Sequence, residues 1–307
     1  MPSFRAAPVR VRVPATSANL GPGFDAFGLA LTLYDDVVVR VTDEGLDVDV
    51  AGEGETSVPR TERHLVVRAA RAAFKRLGGQ PRGLQVVCAN RIPHGRGLGS
   101  SAAAICAGVL AARALTLGGE QALDPAATLA LAAEIEGHPD NVAACLQGGF
   151  TITWAAVGGP RSVRLEPAPG VVPVVLVPER QVSTTRARAL LPESVPHADA
   201  ARTAGRAALL VEALTRRPDL LLDATEDALH QPYRAPAMPA SASLVAKLRA
   251  DGVPAVVSGA GPSVLALAGP DTAEAVLAAA PRRWTARRLD VERAGAAVLP
   301  FVAATSA

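Results

Sequence analysis

Between Pro93 and Ala103 the chain reads Pro93-His-Gly-Arg-Gly-Leu-Gly-Ser-Ser-Ala-Ala103, an apolar strand pattern that runs into three glycines, two serines and a long Ala-rich helix pattern. Closely spaced glycines let backbone N–H groups turn inward, and the helix that follows aims its positive end at the same spot. That geometry binds phosphate. A Walker-type loop would place Lys after its last Gly, whereas Gly99 is followed by Ser100, and Lys75 and Lys247, the only lysines, lie outside any Gly-rich segment. A dinucleotide fingerprint fails too. Gly95, Gly97 and Gly99 are spaced G-x-G-x-G, and no acidic residue closes a strand about 20 residues on. What remains is a lysine-free cradle whose Ser hydroxyls can hold a phosphate oxygen or a magnesium ion.

This segment resembles the central P-x-x-x-G-L-G-S-S-A-A motif of the GHMP kinases. Pro14-Ala-Thr-Ser-Ala-Asn-Leu-Gly-Pro-Gly-Phe-Asp-Ala-Phe-Gly28 is similar to the first motif of the homoserine kinase branch of that superfamily, and Ser258-Gly-Ala-Gly-Pro-Ser-Val264 to the third. Between them, Glu136-Gly-His-Pro-Asp-Asn-Val142, Ser183-Thr-Thr-Arg-Ala-Arg188 and His230-Gln-Pro-Tyr-Arg234 match segments of the same branch in the same order. The likeness spans residues 9 to 268. It implies an α+β GHMP kinase fold, with an N-terminal domain of the ribosomal-protein-S5-like α/β kind over 1–160 and a ferredoxin-like α+β domain over 161–307. The implied reaction is ATP-dependent phosphorylation of the L-homoserine hydroxyl, with Mg²⁺ as the metal.

Site residues follow from the same resemblance. ATP is expected on Pro93, His94, Gly95, Arg96, Gly97, Leu98, Gly99, Ser100, Ser101, Ala102 and Ala103, with adenine near His64 to Arg68 and Asn90 to Ile92. Ser100 is the implied Mg²⁺ ligand, joined by an acid one helix later. Glu134 and Glu136 compete for that place, and Glu134 is the expected ligand because it aligns with the family's when helix lengths are matched. Two residues apart on a helix, they point to different faces.

Homoserine carries a carboxylate, an ammonium and an attacking hydroxyl. Arg188 and Arg234 match the family's carboxylate-clamping arginines, and a planar fork of donors suits that task. Asn19 and Asp25 are implied at the ammonium and hydroxyl end, with His138, Thr184 and Gly259 as further contacts. Other GHMP kinases place a base where Asp140-Asn141 stands. Homoserine kinases are thought to manage without one, which leaves Asp140 either a base or a holder of His138. Ala26-Phe27 departs from the commonest family pattern, with its effect expected in packing beneath Asp25.

Two rival readings remain. A GHMP kinase for a sugar or isoprenoid alcohol would keep the glycine motifs without needing two arginines for a carboxylate. A non-catalytic member would tolerate loss of Ser100, Glu134 or Asp140, and all three are present.

Composition sets outer limits. With 307 residues, 49% hydrophobic and 20% charged, the chain can bury one large core or two smaller ones. A formal charge of +2 without a basic run marks no nucleic-acid surface. No apolar segment reaches the length of a membrane span or signal core, so a soluble, unexported protein is expected. The partners implied are therefore small molecules, L-homoserine and ATP, with neither nucleic acid nor membrane; a homodimer stays open. Cys88, Cys106 and Cys145 show no paired or metal-ligand spacing and read as core thiols.

Periodicity and turn signals predict strands at 9–13, 37–41, 84–88, 163–165, 172–177, 254–258, 263–268 and 284–290. Helices are predicted at 64–77, 101–117, 125–136, 198–216, 218–229, 240–250 and 272–280.

Overall fold

The computed structural model describes residues 2–300. In chain order the elements are β1 (Val9–Ala18), β2 (Phe27–Thr42), β3 (Gly45–Gly52), α1 (Leu65–Arg76), β4 (Gly83–Asn90), α2 (Ser100–Leu115), α3 (Gly119–Ala122), α4 (Pro125–Glu136) and α5 (Asp140–Gln147). Next come β5 (Phe150–Ala156), β6 (Gly159–Leu165), β7 (Val172–Pro178), α6 (Thr184–Arg188), α7 (His197–Thr215), α8 (Leu221–Ala224) and α9 (Gln231–Arg234). The chain ends with α10 (Pro239–Ala250), β8 (Ala255–Val257), β9 (Val264–Ala268), α11 (Ala273–Ala278), β10 (Trp284–Arg288) and β11 (Ala297–Leu299).

Two sheets organise the molecule. The first runs β11-β1-β2-β4-β3, with β5 joining β2 and β6 joining β5; the second runs β10-β7-β9-β8. β1 alternates as its sequence demands, with Val9, Val11 and Val13 buried while Arg10 and Arg12 reach Asp36 on β2. Phe27 is buried edge-on against Phe150, so the departure at Ala26-Phe27 is absorbed as aromatic packing.

The largely apolar α2 lies at the centre of the main core, in contact with α1, α4, α5 and β1. Gly108 permits this approach: a Cβ there would stand 2.3 Å from the Val66 carbonyl oxygen. Asp124 caps α4 by accepting from Ala127 N, and Gly137 closes it in the left-handed region, which turns the chain straight into α5. The acidic and histidine residues of 136–140 are thereby fixed at the junction of two helices.

Some expectations change. The helix expected over 218–229 is a 3-10 turn at Pro218–Leu220 followed by the single turn of α8. Beyond it the Asp227 carboxylate accepts from Leu229 N, His230 N and Gln231 N, offering the backbone an alternative to helix. β3, α3, α5, β5, α6, α9 and β11 lie outside the predicted elements. The 160/161 division falls inside β6, which stays in the first sheet through Leu165, and β11 returns to pair with β1. No helix among the described residues is long and apolar enough to cross a membrane.

Candidate active site

Three glycine-rich segments lock together. Gly97 and Gly99 adopt φ of 73° and 70°, and a Cβ on them would meet the Ser258 carbonyl oxygen at 2.2 Å and Thr16 Oγ1 at 1.9 Å. Ser258 Oγ lies 2.6 Å from the Gly97 carbonyl and 2.8 Å from Ser17 Oγ, while Gly259 N donates to the Ala18 carbonyl. The first, central and third segments thus form one wall. Arg96 is a pin within it: its guanidinium donates to the carbonyls of His94, Pro178 and Glu179.

This wall encloses a cavity of about 210 Å³ lined by Asn19, Gly95, Gly97, Gly99, Ser100, Ser101, Glu136, His138, Asp140, Asn141, Thr184, Arg188, Arg234 and Gly259. The N-terminus of α2 supplies unpaired N–H groups beside Ser100. Glu136 Oε1 accepts from Ser101 Oγ at 2.5 Å, and burial pushes the Glu136 carboxyl above its ordinary pKa. Glu134 is exposed and lines no part of the cavity. Of the two competing acids, Glu136 is thus the one that lines the cavity, because the last residue of α4 faces α2 while Glu134, the expected ligand, lies on another face of the helix.

At the opposite end sit the two arginines. Arg188 makes a bidentate pair with Asp25 at 2.9 and 2.5 Å, which holds its guanidinium charged. Arg234 is 1% exposed and has no carboxylate partner among the described residues. Its Nη1 makes only long contacts, 3.3 Å to His230 Nδ1 and 3.4 Å to the Gly259 carbonyl, and its Nε has none. Burial, then Arg188, lowers its pKa. His230 Nε2 donates to the Gly21 carbonyl at 2.8 Å, which leaves Nδ1 as the acceptor facing Arg234. Asn19, at φ 70°, ties the loop down by donating to the Gly259 carbonyl and accepting from Asp25 N.

Asp140 is buried and committed. Its Oδ1 lies 2.9 Å from His138 Nδ1 and also accepts from Asn141 N and Nδ2. That contact raises the His138 pKa. Asn141 Oδ1 accepts from Thr16 Oγ1 at 2.7 Å, a link to β1 that spacing could not reveal.

A second cavity of about 220 Å³ shares Ser100 and Ser101 with the first. Val58, Pro59, His64, Leu65, Val66, Asn90 and His94 line it, so half of the residues expected around adenine, His64, Leu65, Val66 and Asn90, border one space. Val67, Arg68, Arg91 and Ile92 do not line it. His64 Nδ1 is buried without a partner. Among the ATP-loop residues, Pro93, Leu98, Ala102 and Ala103 support the loop from the core rather than face either cavity.

Comparisons with known proteins decide the family. The GHMP kinases N-terminal domain family matches residues 64–149 and the GHMP kinases C-terminal family residues 203–286. Homoserine kinase of Streptomyces coelicolor is 68% identical over 304 residues, covering 99% of this chain and 98% of that protein. The chain belongs to the homoserine kinase family. It is an ATP-dependent phosphotransferase with an alcohol acceptor. Homoserine kinase of Clavibacter michiganensis is 54% identical over 94% of this chain and 93% of that protein. The crystal structure of homoserine kinase from Cytophaga hutchinsonii superposes with a TM-score of 0.83 at 26% identity, over 97% and 98% of the two chains.

For this kinase, sequence reasoning named the clamp arginines and the His138-to-Asn141 turn but gave no role to Phe24, His230 or Thr16. Phe24 and His230 lay inside quoted motifs. Nothing in their spacing announced that they meet each other.

Proposed function

We propose that this kinase transfers the γ-phosphoryl group of ATP to the side-chain hydroxyl of L-homoserine, giving O-phospho-L-homoserine, a precursor of threonine. The observation that carries the substrate is the buried, carboxylate-free Arg234 beside the Asp25–Arg188 pair. A zwitterionic amino acid complements that set: its carboxylate meets Arg234 and Arg188, and its ammonium meets Asp25. A sugar or isoprenoid alcohol would leave Arg234 buried and uncompensated, which is unfavourable.

The triphosphate lies along Gly95 to Ser101, held by backbone N–H groups and the α2 terminus. Adenine takes the adjoining apolar slot by His64 and Asn90. The donor set at the shared edge, hydroxyls plus one carboxylate, suits Mg²⁺, which takes one or two carboxylates together with phosphate oxygens and waters. Ser100 and Glu136 would hold it, with Ser101 fixing Glu136. Bound there, the ion neutralises charge on the phosphates.

The chain's own residues position the acceptor. His138 and Thr184 line the same cavity, and His138 is kept protonated more readily by Asp140, so it donates toward the phosphoryl oxygens. Asp140 acts as the holder of His138 and Asn141 rather than as a base, because its Oδ1 already faces three partners. Little proton abstraction is needed before transfer through a loose transition state.

The test mixes purified protein with Mg-ATP and L-homoserine and follows ADP release against L-serine, mevalonate and galactose. Turnover with homoserine far above the controls is expected. Turnover with mevalonate or galactose instead would defeat the reading.

A further inference from the structure

Phe24 belongs to the first glycine-rich segment, where no role has been given to its ring. Three groups meet that ring. The Arg234 guanidinium carbon lies 5.0 Å from the ring centroid, the Arg188 guanidinium carbon lies 5.6 Å from it, and His230 stacks on it at 5.1 Å with 27° between planes. Both arginine distances fall within the range over which an aromatic quadrupole attracts a cation, and the attraction grows when the cation is removed from water. Arg234 is 1% exposed, so it belongs to the desolvated case.

The electrostatics explain why a ring is needed at this point. Two guanidinium groups face one small cavity, and after burial Arg188 is the next cause that lowers the Arg234 pKa. Arg188 is compensated by Asp25. Arg234 has only the long contacts to His230 and Gly259, with Nε unpartnered. A carboxylate placed beside Arg234 would cancel its charge and close the site to an anionic substrate. A ring face supplies negative potential without a competing negative charge, so the arginine is stabilised and still free to accept the substrate.

His230 adds a second constraint. Its Nε2 is tied to Gly21, three residues before Phe24, and its Nδ1 accepts from Arg234. The ring therefore packs on the residue that orients Arg234 as well as on Arg234 itself.

We propose that Phe24 is a positioning residue, a neutral aromatic platform that holds Arg188 and Arg234 together as one carboxylate receptor. It acts through the arginines. This rests on the reading of the site as a homoserine-carboxylate clamp.

The test replaces Phe24 with Leu, Tyr and Trp, and with a series of ring-fluorinated phenylalanines that keep shape while draining the ring face of negative potential. The wild-type chain is assayed first, and absence of homoserine turnover there would defeat the functional reading itself. Given turnover, Phe24→Leu is expected to raise the homoserine KM at least tenfold, leaving kcat within about threefold and the ATP KM unchanged. Phe24→Tyr and Phe24→Trp should recover most of the loss, and KM should climb stepwise with fluorine count. An unchanged KM across the fluorinated series would overturn the proposal, reducing the ring to packing. So would equal losses for homoserine and ATP in Phe24→Leu. Should Phe24→Leu not fold, the fluorinated series, being isosteric, still decides.

Discussion

Arg234 concentrates the substrate chemistry in one buried side chain whose own contacts are weak. In the proposed binding mode Arg234→Ala deletes a bidentate partner for the homoserine carboxylate, so kcat/KM for homoserine should fall by on the order of 2 kcal/mol or more, roughly thirtyfold. ATP KM should stay within a few fold. Steady-state kinetics in both substrates check this, and equal damage to each would make the residue structural. The proposed metal ligand, Glu136, is the matching case at the phosphate end. Glu136→Ala should cut turnover by orders of magnitude and change its magnesium dependence, while Glu134→Ala should remain within a few fold, since Glu134 is exposed and outside the cavity. Ser100→Ala should behave like Glu136→Ala if it ligates the ion, whereas a helix cap alone would lose about 1 kcal/mol of stability and little rate. At this scale the motif residues were legible because each type carries its own chemistry. What spacing could not supply was direction. Helical period separates the faces of Glu134 and Glu136, but only the packing of α4 on α2 says which face is inside.

Elements carry the site through two devices, tight glycines and one buried acid. Gly97 stands where a Cβ would meet a carbonyl oxygen at 2.2 Å, and its φ of 73° disfavours any other residue. Gly97→Ala should therefore lower the melting temperature and raise the ATP KM together, because the wall it shares with Ser258 is the proposed phosphate cradle. The acid is Asp35 on β2, which accepts from Arg91 N and Ile92 N and so fixes the chain entering the glycine loop. Burial pushes its pKa from 3.8 up to about 6. A carboxyl raised on folding binds more protons folded than unfolded between those values, so stability from this group is full below pH 4 and declines as pH rises to 6. Asp35→Asn keeps the oxygen acceptor without the charge. Its stability relative to wild type should rise across pH 4 to 6, by on the order of 3 kcal/mol, and then level off. Denaturant melts at several pH values read this directly, and a flat difference would show that Asp35 titrates normally. The main helices were readable because α1, α4, α7 and α10 carry caps or apolar stripes. β3 carries the same period-two alternation as β1, with Leu46, Val48 and Val50 set against Asp47 and Asp49, and was legible though not predicted, whereas the 218–229 stretch failed because the Asp227 side chain competes for backbone donors.

On the scale of the molecule, the sequence suggested two halves meeting near residue 160, and the structure joins them more closely than that. One continuous cluster of buried side chains contains Val11, Leu84 and Leu110 from the first half together with Val175, Leu210, Val256 and Leu265 from the second. β11 brings Ala297–Leu299 back to β1, a long-range pairing that no local pattern announces. The active site repeats this dependence, because Gly97, Ser17 and Ser258 form one wall and Asp25 and Arg188 one pair across 163 residues. A shared core and a shared site should make the chain unfold as a unit despite its length. Calorimetry on the full chain is expected to show one transition with matching calorimetric and van't Hoff enthalpies. The separate pieces 1–165 and 166–307 should fail to give cooperative melts, because cutting there strips β1 of β11 and opens the common cluster to water. Two resolved transitions, or a cooperative melt of the isolated 1–165 piece, would mean that the first sheet is complete without the returning strand and that the halves are autonomous domains.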